Sequence, residues 1–211
     1  MDRPNNQFNV PMGIYLSQYR AAAPEEIAKR CGLSYGGGRF NVTYMGNSYL
    51  VSYPDYIVEL QNEAKYADVM RSETAASRLL LLHHLVSGTR KSFGGGYLAY
   101  RDIPWGSLYN PNFTGKCISR LARKFGDHID TFRERIVRLP AAEVRAAGDF
   151  AVDIEVMPEL YMRFILWAGE AEDGIAPAAQ ILFSDNFPAA FTAEDTVGVA
   201  DEAIKQLTVN Q

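Results

Sequence analysis

The sequence predicts an α+β protein in which helices cover one antiparallel sheet. Three observations support this: residues 39–54 alternate between apolar and polar side chains, residues 63–87 carry a broad apolar stripe, and residues 150–183 contain three short strand-like runs. The connections between these runs are too short for crossovers, which favours antiparallel pairing. We therefore expect the N-terminal hairpin and the C-terminal three-stranded meander to share one sheet, with a single domain over 1–211.

The segment PEEIAKRCG, residues 24–32, predicts a short helix after a weaker helical pattern over 11–22. Pro24 suits the first helical position, where its missing N–H costs nothing. The two glutamates that follow it face the positive end of the helix dipole, and a Lys-Arg pair faces the negative end. Gly32 can end the helix in a left-handed conformation.

The next segment, RFNVTYMGNSYLVSYPD, predicts a β-hairpin. Its apolar residues alternate with polar ones on both sides of Gly46-Asn47, which is a favourable turn pair. Pro54 ends the second strand. We expect the turn at Gly46-Asn47.

Residues 63–87 form the longest helical pattern in the chain. Leu80, Leu81 and Leu85 widen its apolar stripe to most of the circumference, which indicates a helix that is buried on several sides. This segment is the predicted central helix. A second helical region spans 116–137, with Gly126-Asp127 as a point where one helix ends and the next begins.

The final third of the chain changes to a strand period. Three strands are predicted, at 150–156, 161–168 and 180–183. A longer acidic loop, 169–179, separates the second strand from the third. Thr192 begins the last helix, which runs to about Leu207, and its side chain can cap that helix. Asp195 stands where a capping box usually has glutamate.

Composition narrows the classes of partner. The chain has 211 residues, is 47% hydrophobic and carries a net charge of -4, so it has no general attraction to nucleic acid or to anionic membranes. No apolar run approaches the roughly 20 residues that span a bilayer. The first residues lack the pattern of a secretory signal. We therefore expect a cytoplasmic protein with neither nucleic acid nor membrane as partner.

The two cysteines, Cys31 and Cys117, are expected to be reduced thiols. They are too few to hold an iron–sulfur cluster or a structural zinc ion. Cys117 lies among basic residues, which could lower the pKa of its thiol, but an inert, partly buried cysteine is the preferred interpretation.

The sequence gives little support for a zinc site or a serine nucleophile. His83 and His84 are adjacent on a helix, where side chains diverge by about 100°, and His128 is the one other histidine. Core or capping histidines are therefore favoured over a zinc site. No G-x-S-x-G motif marks a serine nucleophile. The basic region 116–138 and the acidic region 149–202 either face each other or leave a basic surface for an anionic ligand.

The segment SFGGGYLAYRDIPWG contains a match to the dinucleotide motif G-x-G-x-x-A, beginning at Gly94. That motif requires a strand before the glycines and a helix after them, whereas here a helix precedes them. We therefore expect the glycines to turn the chain. Two interpretations of Arg101, Asp102 and Trp105 remain open. In the first, the loop is pinned to the core by Tyr97, Tyr100, Ile103 and Trp105, while Arg101 and Asp102 hold each other or a backbone carbonyl. In the second, Arg101 and Asp102 line a cleft and Trp105 is its apolar wall.

The acidic loop offers a second group of candidates. Glu170, Glu172 and Asp173 lie in one connection, and Asp185 follows the next strand. Clustered carboxylates can bind Ca²⁺ or Mg²⁺ or act as acid and base. The spacing does not fit an EF-hand. A solvated charged loop is the plainer interpretation.

Several motifs occur together in a recognisable order: PEEIAKRCGLSY, YMGNSYLVSYPD, LLLLHHL, GYLAYRDIPWGSLY, LARKFGD, the run from FILWAG to ILFSD, and TAEDTVGVADEAIKQL. On these motifs the chain resembles the uncharacterised prokaryotic family called domain of unknown function 3786, which is common in anaerobes. The resemblance implies a role in anaerobic redox or one-carbon metabolism, because some relatives carry an added iron–sulfur module. This chain lacks those cysteines, so the resemblance implies no cluster here. The family has no established activity, and neither a cofactor nor catalytic residues follow from it.

Two hypotheses for function result. The first is a non-catalytic accessory protein of anaerobic metabolism that binds a small molecule or a protein partner. Its candidate ligand-binding residues are Arg101, Asp102, Trp105, Trp167, Glu170, Glu172 and Asp173. The second is an enzyme that uses the carboxylates of Glu170, Glu172, Asp173 and Asp185, with or without a divalent cation. The sequence predicts no metal site and does not indicate a cofactor or an oligomeric state.

Overall fold

A computed structural model describes the backbone of residues 6–209 and the side chains of 10–170 and 172–209. The helices are α1 (Asn6–Ala21), α2 (Pro24–Cys31), α3 (Ala76–Ser87), α4 (Gly106–Phe113), α5 (Ser119–Phe125), α6 (Ile129–Ile136), α7 (Phe187–Ala190) and α8 (Ala193–Thr208). The strands are β1 (Ser34–Gly36), β2 (Arg39–Tyr44), β3 (Asn47–Ser52), β4 (Val58–Leu60), β5 (Tyr97–Ala99), β6 (Ala141–Glu143), β7 (Phe150–Met157), β8 (Leu160–Trp167) and β9 (Ala178–Ser184).

The strands form two antiparallel sheets, with the orders β1-β2-β3-β4 and β5-β9-β8-β7-β6. The α+β fold is therefore confirmed, but the prediction of one shared sheet is wrong. Three-residue strands occupy both edges of the hairpin and both edges of the meander, so neither unit has a free edge for the other. These edge strands are too short to show an alternating pattern, which is why the sequence did not reveal them.

The two sheets nevertheless touch at the hairpin turn. Met45 donates its N–H to the carbonyl of Val156 at 2.8 Å. The turn residues are Met45 and Gly46, both with positive φ, so the turn lies one residue earlier than predicted. Asn47 belongs to β3 instead. Its buried amide holds the segment 65–67 through hydrogen bonds to backbone groups.

The central helix is buried as predicted, but it is shorter. Leu81, Leu82 and Leu85 are fully buried, while helix α3 begins at Ala76 rather than at residue 63. The preceding segment reaches the core without being helical, because Tyr49 and the backbone N–H of Met70 both donate hydrogen bonds to Asp68. Apolar spacing alone could not distinguish this arrangement from a helix.

The second helical region also differs from its predicted bounds. It begins at Gly106, runs through α4, a π-helical segment at Thr114–Ile118 and α5, and ends at Phe125. Helix α6 then starts after the predicted break. His128, with φ -137° and ψ 51°, is the non-helical residue before α6, and packing requires glycine at 126, because a side chain there would overlap Pro177.

The basic and acidic regions face each other. Asp201 of α8 is buried and contacts Lys116 at 3.0 Å and Arg120 at 2.8 Å. Arg135 and Arg138 donate hydrogen bonds to carbonyls in the last turn of α8, where the negative end of the helix dipole favours cations. Much of the basic surface is therefore used inside the fold.

Helix α8 begins with a complete capping box. The hydroxyl of Thr192 accepts a hydrogen bond from the N–H of Asp195, and the carboxylate of Asp195 accepts one from the N–H of Thr192. Aspartate therefore serves in the position that glutamate usually takes. Among the residues that the structure describes, no helix has the length and apolar character needed to cross a membrane.

The buried carboxylate of Asp201 supports a stability prediction. Burial acts to raise its pKa, but hydrogen bonds from Lys116 and Lys205 outweigh burial and hold that pKa below its ordinary value. Its stabilising effect is therefore present at neutral pH and is lost as the pH falls through the lowered pKa. We expect Asp201→Asn to lower the free energy of unfolding by about 3 kcal/mol in urea titrations at pH 7.

A matched control is Asp130→Asn. The Asp130 side chain is 93% exposed and lies 3.3 Å from Arg133. An exposed pair contributes about 0–1 kcal/mol. Equal losses for the two variants would contradict the role assigned to Asp201.

Candidate functional site

A cavity of about 240 Å³ lies beside β9. Strand β5 pairs with β9 only as far as Ala99, opposite Leu182. The chain then turns away into a 3-10 helix at Tyr100–Asp102. The cavity lies next to Gln180 and Ile181, just past the end of that pairing, and α4 and the π-helical segment supply further wall residues.

The cavity combines polar and apolar side chains. Its lining residues are Ala99, Tyr100, Arg101, Asn110, Phe113, Thr114, Ile118, Gln180 and Ile181. They come from five different elements, counting the two short helical segments. A concave surface with a few convergent polar groups on apolar walls is the usual form of a small-molecule site.

One wall of the cavity is a rigid aromatic pair. Tyr100 and Phe113 stack at 4.1 Å between ring centroids, and both are buried. The hydroxyl of Tyr100 donates to the carbonyl of Ala193 at 2.9 Å. Burial raises the pKa of Tyr100 to about 12, so this wall is uncharged at neutral pH.

The π-helical segment carries Thr114 and Ile118 into the lining. Such segments are frequent at functional sites. Its Cys117 is fully buried and donates a weak hydrogen bond to the carbonyl of Val197. Burial raises the pKa of the Cys117 thiol to about 12 despite nearby Arg120. The inert interpretation of this cysteine is therefore the one that the structure favours.

Strand β5 is short, but it is held firmly. The hydroxyl of Tyr97 donates to Asp153 at 2.7 Å, and the guanidinium of Arg163 lies 3.9 Å from the centre of the Tyr97 ring. Arg163 also donates two hydrogen bonds to Asp153. These contacts fix the strand that leads to Arg101.

The corner after β5 is mostly exposed. Tyr100 and Ile103 pin it to the core, as predicted, but Trp105 does not, because its side chain is 78% exposed. Arg101 lies 3.9 Å from Asp102, and its side chain is 74% exposed. The two charged residues therefore hold each other loosely, and Arg101 is the one that reaches the cavity.

The acidic loop leaves the same end of the sheet. Trp167 pairs with Ala178 at the start of β9. The chain runs toward this same end of β9 as it leaves β5. Glu170 exchanges backbone hydrogen bonds with Ile175, and Glu172 and Asp173 are exposed in a 3-10 turn. The cleft proposed between this loop and Arg101, Asp102 and Trp105 stays a prediction.

Residues 23–206 match the family model described as Domain of unknown function (DUF3786). The chain belongs to this family. The resemblance drawn from the ordered motifs is thereby confirmed over nearly its full span. Searches of curated proteins and of solved structures return no match.

The glycine-rich segment of this DUF3786 protein binds a carboxylate of its own chain. Gly94 and Gly96 donate their N–H groups to the two oxygens of Asp185, at 2.9 and 3.2 Å. A side chain at Gly94 would overlap that carboxylate, and Gly95 has a φ of +92°. The glycines therefore turn the chain, as expected, and the backbone donors at Gly94 and Gly96 are used internally.

The same geometry removes Asp185 from the proposed group of catalytic carboxylates. Strand β9 separates Asp185 from the acidic loop by roughly 20 Å, at about 3.3 Å per residue. The hypothesis that Asp185 acts together with Glu170, Glu172 and Asp173 is therefore wrong. Within the described part of the chain, no three or more His, Cys, Asp or Glu residues are grouped as metal ligands.

The adjacent histidines of the DUF3786 protein have separate structural partners. His84 is buried and its Nδ1 lies 3.0 Å from the carbonyl of Ala190, which makes it a core histidine. His83 stacks on Tyr15 and its Nδ1 lies 2.8 Å from Asp195 at the start of α8. Core and capping roles are therefore what the structure assigns.

A small cavity of about 40 Å³ lies near His84 and Cys31. Cys31 donates to the carbonyl of His84, and burial raises the pKa of its thiol to about 11. The sequence did not indicate this cavity.

The sequence also did not indicate that Asn110, Thr114 and Gln180 line the larger cavity beside β9. Pro111 and Gly115 inside the helical region are the available signal that the helix is irregular there.

His84 leads to a pH prediction. Burial lowers its pKa to about 4, so the folded state requires the neutral ring. The unfolded chain binds a proton near the ordinary pKa of about 6.5. The stability that this group contributes is therefore complete above pH 6.5 and is lost as the pH falls toward 4, on the order of 3 kcal/mol in total.

The variant His84→Asn keeps a donor for Ala190 but does not titrate. We expect its unfolding free energy to change less than that of the wild type between pH 6.5 and 4, in urea titrations across that window. His128→Asn, at an exposed histidine, is the control and should retain the wild-type slope. Identical slopes for all three proteins would show that His84 does not titrate as described.

Proposed function

We propose that this DUF3786 protein is a non-catalytic accessory protein that binds a small molecule in the cavity beside β9. One observation carries the proposal. Arg101, Asn110, Thr114 and Gln180 come from separate elements and converge on a wall of apolar and aromatic side chains. This combination gives a ligand both buried apolar area and a fixed orientation.

The lining chemistry supports binding over catalysis. General acids and bases in enzymes are most often His, Glu, Asp, Lys, Tyr or Cys. Among the described residues that line this cavity, Tyr100 alone belongs to that group, and its hydroxyl is engaged with Ala193. The second hypothesis, a carboxylate-based enzyme, loses Asp185 and rests on the exposed acidic loop alone.

The cellular setting is part of the proposal. Both cysteines are free and buried, which supports a reducing, cytoplasmic compartment. The proposed connection to anaerobic metabolism rests on the family resemblance.

A protein partner is the second candidate, and Trp105 supports it. The side chain is 78% exposed although φ is +67°, a left-handed conformation that is unfavourable for a bulky residue. Leu108, three residues later, is also exposed, and Tyr109 partly so. Exposed aromatic residues in an apolar patch are typical of protein interaction sites.

The small-molecule proposal is tested by ligand screening with a variant that blocks the cavity. Thr114 is exposed on the π-helical segment, so Thr114→Trp fills space in the cavity at little cost in stability. The probes are nicotinamide and flavin nucleotides, organic acids, amino acids and amines. A ligand at 100 times its Kd adds about 2.7 kcal/mol to stability, which a thermal shift detects.

We expect at least one probe to raise the Tm of the wild type but not that of Thr114→Trp. Asn112→Trp introduces the same bulk at an exposed position outside the lining and should respond as the wild type does. A panel without any stabilising probe, or a shift that persists in Thr114→Trp, would remove the cavity as the binding site.

The strained tryptophan gives a separate prediction. Asparagine tolerates the left-handed conformation, so Trp105→Asn should raise the free energy of unfolding by up to about 1 kcal/mol. Trp105→Ala removes the same exposed ring but keeps the unfavourable φ, and should be less stable than Trp105→Asn. A clear loss of stability in both variants, measured by urea unfolding, would mean that the Trp105 ring packs against the protein instead of being available to a partner.

A further inference from the structure

We infer that the ligand of the cavity beside β9 is a monocarboxylic acid with an apolar body, and that Arg101 binds its carboxylate. This inference rests on the proposed function and adds the chemical class of the ligand. Three observations lead to it: the charge of the cavity lining, the donors and cations elsewhere that already bind carboxylates of the protein itself, and the size and character of the cavity walls.

Among the described residues that line the cavity, Arg101 is the charged one. Its side chain is 74% exposed and its contact with Asp102 is long, at 3.9 Å, with Asp102 itself exposed. An exposed pair at that distance is weak, so a ligand can displace it. The planar guanidinium matches a carboxylate through two parallel hydrogen bonds.

A single negative charge fits the site better than a phosphate. Phosphate sites usually combine several donors, such as backbone N–H groups and more than one cation. Here the glycine N–H groups bind Asp185, and Lys116 and Arg120 are paired with Asp201. Arg101 as the one cation among the described lining residues therefore favours a ligand with one carboxylate.

The walls define the rest of the ligand. Ala99 and Ile118 are partly exposed and offer apolar surface, Tyr100, Phe113 and Ile181 are the buried residues of the wall, and the volume is about 240 Å³. A dry cavity of about 150 Å³ holds a benzene ring. The space beside Arg101 therefore accommodates a ring or short alkyl chain together with its carboxylate.

The remaining polar side chains set the orientation. The amides of Asn110 and Gln180 and the hydroxyl of Thr114 can donate to the carboxylate or to a polar substituent. Because these side chains are uncharged, they can orient the ligand without requiring it to carry a second charge.

The test compares an acid with its neutral counterpart. Phenylacetate and phenylacetamide have nearly the same shape and differ in charge, and hexanoate serves as an aliphatic acid. Binding is measured by calorimetry and by NMR shifts on the full chain. We expect the wild type to bind at least one of the two acids, and Arg101→Gln to weaken that binding by about 10- to 100-fold.

The matched control is Arg39→Gln. Arg39 lies in the other sheet, away from the cavity lining, is half exposed and pairs with Glu59 at 3.2 Å, so its replacement removes one surface positive charge as Arg101→Gln does. Its replacement should leave the affinity for the acids unchanged. Equal weakening by both variants would show that general charge attraction, and not this site, explains binding.

The outcomes separate the ligand class from the proposed function. If phenylacetamide binds as well as the acids and Arg101→Gln changes nothing, the carboxylate class is wrong while binding in the cavity stands. The carboxylate class is also wrong, and binding in the cavity also stands, if neither acid binds but another probe raises the Tm of the wild type and not that of Thr114→Trp. If no probe of any class binds, both the class and the proposed function are overturned.

Discussion

The contact between Asp185 and the glycine-rich segment is the constraint on which the candidate site depends. Two backbone N–H groups bind the two carboxylate oxygens, and the N–H of Asp185 returns a hydrogen bond to the carbonyl of Gly96. This fixes Tyr97 opposite Ser184, and therefore fixes where β5 ends. Because the strand ends two residues later, at Ala99, the edge of β9 is left beside a cavity and Arg101 lies in the lining of that cavity.

Several charged side chains of this protein help to assemble the fold. Asp201 collects cations from the π-helical segment and α5, and arginines of and just after α6 bind the last carbonyls of α8. Buried charges of this kind must be paired, because an isolated one is costly. The basic region that could have attracted an anionic ligand is largely consumed in this way, whereas Arg101, in the lining of the cavity beside β9, is only loosely paired.

The candidate reactive groups follow the same pattern. Both thiols and His84 are buried, and burial disfavours the charged form of each. The pKa shifts of these three groups therefore reflect packing. The uncharged amides of Asn110 and Gln180 and the hydroxyl of Thr114 beside the cavity can still bind a ligand. This distribution supports the proposed binding role.

The sequence by itself determined the local pieces: helix α2 with its proline and glycine ends, the β2–β3 hairpin, the three strands of the meander and the cap at Thr192. These depend on periodicity and on contacts within a few residues, both of which are visible in the chain. Of the candidate ligand-binding residues, Arg101 is the one found in the cavity lining. Tertiary structure alone decided that the strands form two sheets, that α3 starts at Ala76, and that Asn110, Thr114 and Gln180 meet, because three-residue edge strands and long-range hydrogen bonds leave no local pattern.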